Sequence, residues 1–247
     1  MISIDLVKLH HDFKKIRDIG WIKTLRNGTS GVGYTFESLL HKPEDSSPLP
    51  DYGKFEIKTR RAQSKSNISL FSATPDGDFK DPIKKLQKEF GYPHREYPYL
   101  RVFNGAANGK YFQNIGSYFQ FKLSVDRINK VVRLLAQTNS GRKKDTGISW
   151  SFELLEENLK RKSEYLAIVW AFNKRIKGIE YFKYVNLRCY VLKDFNTFIK
   201  LLDNGDISVR FRINIKKRGR HFGKIYDHGT SFEINPKELR KLYQFIA

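Results

Sequence analysis

The sequence predicts an α+β protein: an α/β core built as a mixed sheet flanked by helices, followed by a second, more basic lobe. Three observations predict it. A helical period runs through the first segment, a period of two recurs after Phe119 and again after Ile207, and the apolar run Tyr165 to Phe172 is short and β-rich enough to be a buried central strand. The order helix, three or four strands, helix, buried strand is that of a mixed α+β core. At 247 residues the chain can form one large domain or two small lobes. A fold of this size buries roughly three-quarters of the surface that its unfolded chain exposes.

Taken in order, Ser3 to Ile19 places Leu6, Leu9, Phe13 and Ile16 at helical spacing, and Gly20 stands where helices commonly end. The glycine turn Gly28-Thr-Ser-Gly-Val-Gly33 leads into a short helix, Tyr34 to His41. A polar, proline-bearing loop from Pro43 to Pro50 precedes strands over Tyr52 to Arg60 and Ile68 to Ala73. Residues 74–113 are rich in Gly, Pro and Asn and read as an insertion or as loops facing a partner. One helix interrupts them, with Asp81 as N-cap, Pro82 at its first position and Gly91 at its close. Phe119, Phe121, Leu123 and Val125 alternate with Tyr118, Gln120, Lys122 and Ser124 in a clean strand, and Val131 to Ala136 is another. A helix around Phe152, Leu155 and Leu159 feeds the buried strand. The rest, roughly 180–247, holds a long strand, a loop, a second strand and a C-terminal helix. The expected division is therefore 1–175 and 176–247.

Charge narrows the function. Lys plus Arg number 46 against 26 Asp plus Glu, a net charge of +20, and the pI is about 9.9. With 14% aromatic residues the chain is no disordered polyelectrolyte, so the excess points to a polyanionic partner. One cysteine, Cys189, excludes an intramolecular disulfide and a cysteine zinc cluster, and the histidines at 10, 11, 41, 94, 221 and 228 show no paired metal spacing. The longest apolar run, Leu166 to Phe172, is far too short to span a membrane. No basic stretch followed by an apolar one opens the chain, so a cytoplasmic protein facing nucleic acid, with no membrane partner, is expected.

The chemistry concentrates in Pro50-Asp51-Tyr52-Gly53-Lys54-Phe55-Glu56-Ile57-Lys58. Strand residues two apart share a face, so Glu56 and Lys58 project together, roughly 7 Å apart at Cβ, while Phe55 and Ile57 point into the core. Asp51 and Glu56 offer hard oxygen ligands for Mg²⁺, with the Ile57 carbonyl as a further ligand. Lys58 offers a cation to polarise water or stabilise phosphorane charge. Asp51 has the opposite parity to Glu56, so a bend at Gly53 is required. Taken alone, the pattern equally describes a surface strand with an ordinary Glu/Lys pair.

A second feature is the unbroken alternation from Ile207 to Lys216. Ile207, Val209, Phe211, Ile213 and Ile215 line one face; Ser208, Arg210, Arg212, Asn214 and Lys216 line the other. The loop to Lys224 adds Lys217, Arg218, Arg220 and His221, and Phe232 and Ile234 mark the return strand. No acidic residue occurs from Ile207 through Tyr226, while seven Lys or Arg do. A β ribbon fits the major groove, and arginine reads guanine O6 and N7 bidentately. A solvated strand face is the alternative, which strict alternation without countercharge disfavours. Tyr226 and His228 are further candidates, although a histidine in a hairpin turn also caps backbone groups. The glycine turn 28–33, with Lys23 and Arg26 beside it, is either a plain helix entry or a place where backbone amides meet a phosphate. Arg60, at the strand end, joins the DNA-facing set.

Gly31-Val-Gly-Tyr-Thr-Phe-Glu37, Pro50-Asp51 and Glu56-Ile-Lys58-Thr59 together resemble the PD-(D/E)xK restriction endonucleases, in the MutH/Sau3AI-related branch that holds the MvaI/BcnI enzymes. Asp227-His228-Gly229-Thr230-Ser231-Phe232 is similar to a C-terminal segment of the MvaI/BcnI family, and the Trp21 region and a helix at Trp150-Ser-Phe152 also fit. The resemblance spans most of the chain, residues 74–113 excepted, and it implies a type II restriction endonuclease fold. Asp51, Glu56 and Lys58 would be the catalytic triad, Glu37 a supporting acid, and Asp227 a neighbour of the bases with His228. It further implies Mg²⁺, with Mn²⁺ as a substitute and Ca²⁺ supporting binding without cleavage. Residues 1–175 become a catalytic lobe and 176–247 a DNA-recognition lobe, with 74–113 as insertion or DNA-side loops. The expected enzyme is a prokaryotic monomer that cuts double-stranded DNA at a short GC-rich site, one strand at a time. A protecting DNA methyltransferase would be its genetic, not physical, partner. A MutH-like nicking enzyme and a non-catalytic basic DNA-binding module are the alternatives.

Overall fold

Leu6, Leu9, Phe13 and Ile16 are the buried face of α1 (Ile4–Ile19) in the computed structural model, which describes residues 4–41 and 49–247. The expected helix start at Ser3 and most of the loop from Pro43 to Pro50 lie outside the described residues. Gly20 follows α1 with φ +84°, as a left-handed helix end requires. After β1 (Ile22–Lys23), α2 (Gly31–Leu39) begins three residues before the expected Tyr34. Its entry is fixed by Gly31 N–H to Gly28 O and Tyr34 N–H to Ser30 O, so the turn is confined to the residues before Gly31. A Cβ at Gly31 would collide with the Arg26 carbonyl, which is why glycine stands inside a helix there. The strands β2 (Phe55–Arg61) and β3 (Ile68–Ser72) come next. α3 (Pro82–Lys85) is capped as expected, Asp81 Oδ1 accepting from Lys84 N at 2.9 Å, and a π-helical turn carries it to Gly91.

The chain continues through β4 (Tyr92–Pro93), β5 (Arg101–Asn108), β6 (Gln113–Ile115), β7 (Phe119–Asp126), β8 (Val131–Thr138) and β9 (Lys143–Ser151). Then come α4 (Phe152–Ser163), β10 (Tyr165–Ile176), β11 (Ile179–Leu192), α5 (Phe195–Asp203) and β12 (Ile207–Ile215). Last are β13 (Ile225–Asp227), β14 (Ser231–Ile234), α6 (Leu239–Leu242) and β15 (Tyr243–Phe245). Three elements differ from expectation. Trp150 lies within strand β9 and does not open a helix; Thr146, Ile148 and Trp150 alternate into the core behind a charged start that hides the pattern. The loop after the long strand contains α5, whose N-cap Asp194 accepts from Thr197 N at 2.7 Å and which buries Phe198, Ile199, Leu201 and Leu202. The C-terminal helix lasts only four residues before β15 pairs with β11.

Two compact units result, and neither is continuous in sequence. The first holds Met1–Ser66, Lys160–Lys193 and Tyr243–Ala247. Its sheet has the order β1-β11-β10-β2, with β15 beside β11. β10 is central, as expected: it is antiparallel to β11 and parallel to β2. A cut after residue 175 would sever the β10–β11 hairpin, whose strands pair along their length. The core sets the buried face of α1, Val32 and Phe36 against Phe55, Ile57, Val169 and Tyr184.

The second unit holds Asn67–Leu159 and Asp194–Leu242. One sheet has the order β3-β14-β12-β5-β4 with β13 beside β12, and a four-stranded antiparallel sheet runs β6-β7-β8-β9. Residues 74–113 are no insertion, because β5 is an inner strand of the first of these sheets and pairs with β12 from Phe103 to Asn108. Phe103 is fully buried between Phe211 and Phe121, each 5.1 Å away between ring centroids. Asn104 and Gly105 break the apolar period, yet a Cβ at Gly105 would overlap the Ile115 side chain at 2.7 Å. Phe103→Ala is therefore expected to cost about 3–5 kcal/mol in urea unfolding, where an insertion loop would tolerate the change within about 0.5 kcal/mol.

Candidate active site

β2 is hydrogen-bonded to β10 on one side only, so every second amide faces its free edge. Phe55 exchanges both backbone bonds with Tyr52, N–H to O at 2.8 Å and O to N–H at 2.9 Å, which folds residues 52–55 into a turn against the strand. Gly53 provides the expected bend, with φ +54° and the Asp5 carboxylate where a Cβ would stand. The Tyr52 hydroxyl donates to Asp12 Oδ2 at 2.6 Å and fastens the turn to α1. Burial, then Asp12, pushes the Tyr52 phenol up to about 12, and that bond holds the Asp12 carboxyl below its usual range.

The bend brings Asp51 beside the strand, where its Oδ2 accepts the Ile57 N–H at 3.0 Å. A strand residue's C=O points the same way as its N–H, so the Ile57 carbonyl leaves β2 on the Asp51 side. Glu56 projects from the face opposite Phe55 and Ile57 and is 2% exposed. Its Oε1 accepts from Lys58 Nζ at 2.6 Å. Its Oε2 accepts no hydrogen bond, although Lys162 Nζ lies 3.1 Å away. Burial pushes the Glu56 carboxyl up and the Asp51 charge adds to this, while Lys58 and Lys162 pull it down; the net direction is upward. Lys162, in the last turn of α4, is a site residue that the sequence reading missed, since nothing local marks it.

The donor set suits a hard divalent ion. Among the described residues no three His, Cys, Asp or Glu side chains gather into a metal-binding group. Two carboxylates, one of them with a buried oxygen lacking a hydrogen bond, and a backbone carbonyl fit an ion that keeps several waters. Glu37 is placed differently: it lines a cavity of about 290 Å³ with Thr59, and Thr59 lies on the face of β2 opposite Glu56 and Lys58. Arg26 lines the same cavity, its guanidinium stacked 3.8 Å from the Tyr34 ring centroid, and Lys23 is exposed on β1. The glycine turn is held by Arg61, which donates to the Gly28 and Thr29 carbonyls and forks onto Glu180 at 2.8 and 2.9 Å. Arg60 is buried and donates to the Ser64 and Ser66 carbonyls, so it braces the turn after β2, which is not the exposed placement expected of a DNA contact.

In the second unit β12 buries its five apolar residues and turns Arg210, Arg212 and Asn214 outward, as expected. The ladder does carry a countercharge: Arg210 Nε lies 2.9 Å from Glu233 Oε2 on β14, outside the acid-free stretch. Arg212 Nε donates to the Gly229 carbonyl, and Asp227 Oδ1 accepts the Gly229 N–H at 3.0 Å. Lys217 meets Glu96 at 3.1 Å, and Arg220 Nε donates to His221. Lys216, Lys217, Arg218, Tyr226 and His228 surround a cavity of about 610 Å³, together with His94 from β4's far end, another residue with no sequence signal. His94 Nδ1 accepts the Glu96 and Tyr97 amides, which leaves the proton on Nε2. The Tyr226 and His228 rings pack edge to face at 4.3 Å.

Two carboxylates and a lysine thus gather around a bend and an edge strand, in a mixed sheet with helices against it. The chain's likeness to known proteins gives the class, a restriction endonuclease. The model of the MvaI/BcnI restriction endonuclease family matches residues 10–243. The restriction endonuclease MvaI–cognate DNA substrate complex is 30% identical, with 100% of this chain and 99% of that chain covered and a TM-score of 0.92. Restriction endonuclease MvaI in the absence of DNA is 28% identical, covered over 100% and 98%, with a TM-score of 0.63. No curated protein sequence matches. The chain belongs to the MvaI/BcnI restriction endonuclease family and is a type II site-specific endonuclease. Among the described residues no helix is long and apolar enough to cross a membrane. Because the Arg60 guanidinium is buried on two carbonyls, Arg60→Ala is expected to lose about 1.5–3 kcal/mol of stability in urea unfolding.

Proposed function

We propose that this chain hydrolyses double-stranded DNA at a short, GC-rich site, using Mg²⁺ held by Asp51, Glu56 and the Ile57 carbonyl. The observation that carries the reading is the Asp51–Glu56–Lys58 cluster on the free edge of β2, with Glu56 Oε2 buried and accepting no hydrogen bond. A divalent ion bound there would supply a Lewis acid that activates water and neutralises charge at the scissile phosphate. Asp51 is pre-oriented by the Ile57 amide, and Glu56 is fixed by Lys58 and packed out of solvent. Lys58, half-buried beside Glu56, orients the attacking water and stabilises negative charge on the phosphate. Mn²⁺ is expected to substitute, and Ca²⁺ to support binding without cleavage.

The first unit would carry hydrolysis and the second would read DNA. The +20 net charge, the Arg212 and Asn214 face of β12 and the cavity ringed by Lys216, Arg218, Tyr226 and His228 support this. Arginine in such an array is the usual bidentate reader of guanine O6 and N7, which agrees with the GC-rich site that the family resemblance implies. Arg210, paired to Glu233, is better suited to holding the ladder than to reading a base. Glu37 serves as an outlying acid beside the glycine turn. A host methyltransferase would protect the same sequence, as a genetic partner.

Incubating plasmid DNA with the protein in Mg²⁺ and in EDTA tests the reading directly; intact DNA in both would overturn it. Asp51→Ala and Lys58→Ala are each expected to abolish cleavage while specific binding in Ca²⁺ persists, because phosphate and base contacts supply the affinity. Residual rates within about tenfold of wild type would remove these residues from the mechanism, because a metal ligand and the cation beside it would both act on the reacting atoms. One catalytic cluster per chain also implies that a monomer cuts the strands in turn. On supercoiled plasmid with a single site, open circles should precede linear product at enzyme excess. Direct linearisation by a two-protein complex would contradict this.

A further inference from the structure

Lys162 stands outside every motif in the sequence, yet it spans the two halves of the carboxylate site. Its ammonium donates to the Leu49 carbonyl at 2.8 Å and lies 3.1 Å from Glu56 Oε2. Leu49 is two residues before Asp51, with Pro50 between them, so the lysine joins the segment carrying one carboxylate to the side chain of the other. All three residues belong to the first unit, and the Lys162 side chain is only 24% exposed. The two oxygens of Glu56 are thus attended differently. Oε1 accepts a hydrogen bond from Lys58, whereas Oε2 feels a nearby positive charge with its lone pairs uncommitted.

We propose that Lys162 is a positioning residue of the active site: anchored on the Leu49 carbonyl, it sets the separation of Asp51 and Glu56 while leaving Glu56 Oε2 open to a divalent ion. The inference rests on the reading of Asp51 and Glu56 as metal ligands. Two effects oppose each other here. A lysine near a metal-binding oxygen repels the incoming ion, the more so because the site is partly buried. Against this, an unanchored segment would have to be ordered whenever the metal binds, and outer groups that orient metal ligands typically matter 10–100-fold. The geometry decides for anchoring. The hydrogen bond goes to the backbone and not to the carboxylate, so an ion can take Oε2 without breaking the tether.

The test uses Lys162→Met, Lys162→Gln and Lys162→Arg in the full chain. Gln retains a donor for Leu49 without the charge, and Arg retains both. Mn²⁺ binding to the DNA-free protein is followed by electron paramagnetic resonance, with Glu56→Gln as the reference for a damaged site. Single-turnover cleavage in saturating Mg²⁺ and DNA affinity in Ca²⁺ are measured alongside. Lys162→Met is expected to raise the Mn²⁺ half-saturation concentration and lower the cleavage rate by about 10–100-fold, with DNA affinity within about twofold of wild type. Lys162→Arg should recover both and Lys162→Gln should fall between. If Lys162→Met does not fold, the graded losses of Gln relative to Arg decide the matter. Tighter Mn²⁺ binding without Lys162 would mean that repulsion dominates, and unchanged Mn²⁺ binding would also overturn the proposal. A parallel loss of DNA affinity in Lys162→Met with a shallower dependence on salt than wild type would make Lys162 a phosphate contact instead. Failure of the wild type to cleave in Mg²⁺, or Mn²⁺ binding that survives Glu56→Gln, would strike the underlying reading and not the role of Lys162.

Discussion

The site depends on a single structural circumstance: among the described residues β2 has a partner strand on one side only. Its outward amides at Phe55 and Ile57 need acceptors, because a buried N–H without one is costly. The turn from Tyr52 to Phe55 satisfies the first and the Asp51 carboxylate satisfies the second. Bonding the free edge of the sheet is therefore the same event as placing the Asp51 carboxylate beside the Ile57 carbonyl, the pair proposed to hold the metal. Everything around the turn serves that placement. Gly53 allows the bend, Asp12 anchors Tyr52, and Asp5 accepts the Lys54 N–H at 3.3 Å. An edge protected in this way is also poorly suited to adding a strand from another chain.

Glu56 shows what such a site costs in stability. A carboxylate at 2% exposure is expensive to bury charged, and its upward shift measures that expense. Lys58 and Lys162 offset it from two sides without filling every lone pair. A residue chosen for stability alone would be apolar at this position, as Phe55 and Ile57 are on the other face. An Oε2 that is buried in an ion pair yet accepts no hydrogen bond is consistent with the chemical role proposed for this position.

The second unit distributes charge by a different rule. Its apolar face is buried between two sheets by a run of aromatic rings, so β12 can present polar groups outward from a rigid support. Not every cation on it is available. Arg210 meets Glu233 and Lys217 meets Glu96, while Arg212 is aimed by the Gly229 carbonyl. Such tethers reduce the freedom of long side chains before any partner arrives, which lowers the entropic cost of binding.

Periodicity and local chemistry were legible from residues alone. The α1 face, the N-cap at Asp81, the central strand from Tyr165, the β12 alternation and the Asp51-x4-Glu56-x-Lys58 pattern with its bend at Gly53 all depend on neighbours in sequence, and the structure has each of them. Excess positive charge likewise needs only counting. What the sequence could not disclose depends on partners far along the chain. Lys162 reaches Glu56 only because α4 ends beside β2; Glu233 neutralises Arg210 only because β14 lies next to β12; and Arg60 turns inward because its carbonyl partners follow a turn. β5 escaped notice because Asn104 and Gly105 interrupt its period, and the unit boundaries did because the chain leaves and re-enters each unit. Sequence by itself determined most of the elements through local propensity and spacing, and its family resemblance singled out Asp51, Glu56 and Lys58. Only the tertiary structure decided which charges pair, because Coulombic and hydrogen-bond energies follow distance in space and are indifferent to distance along the chain.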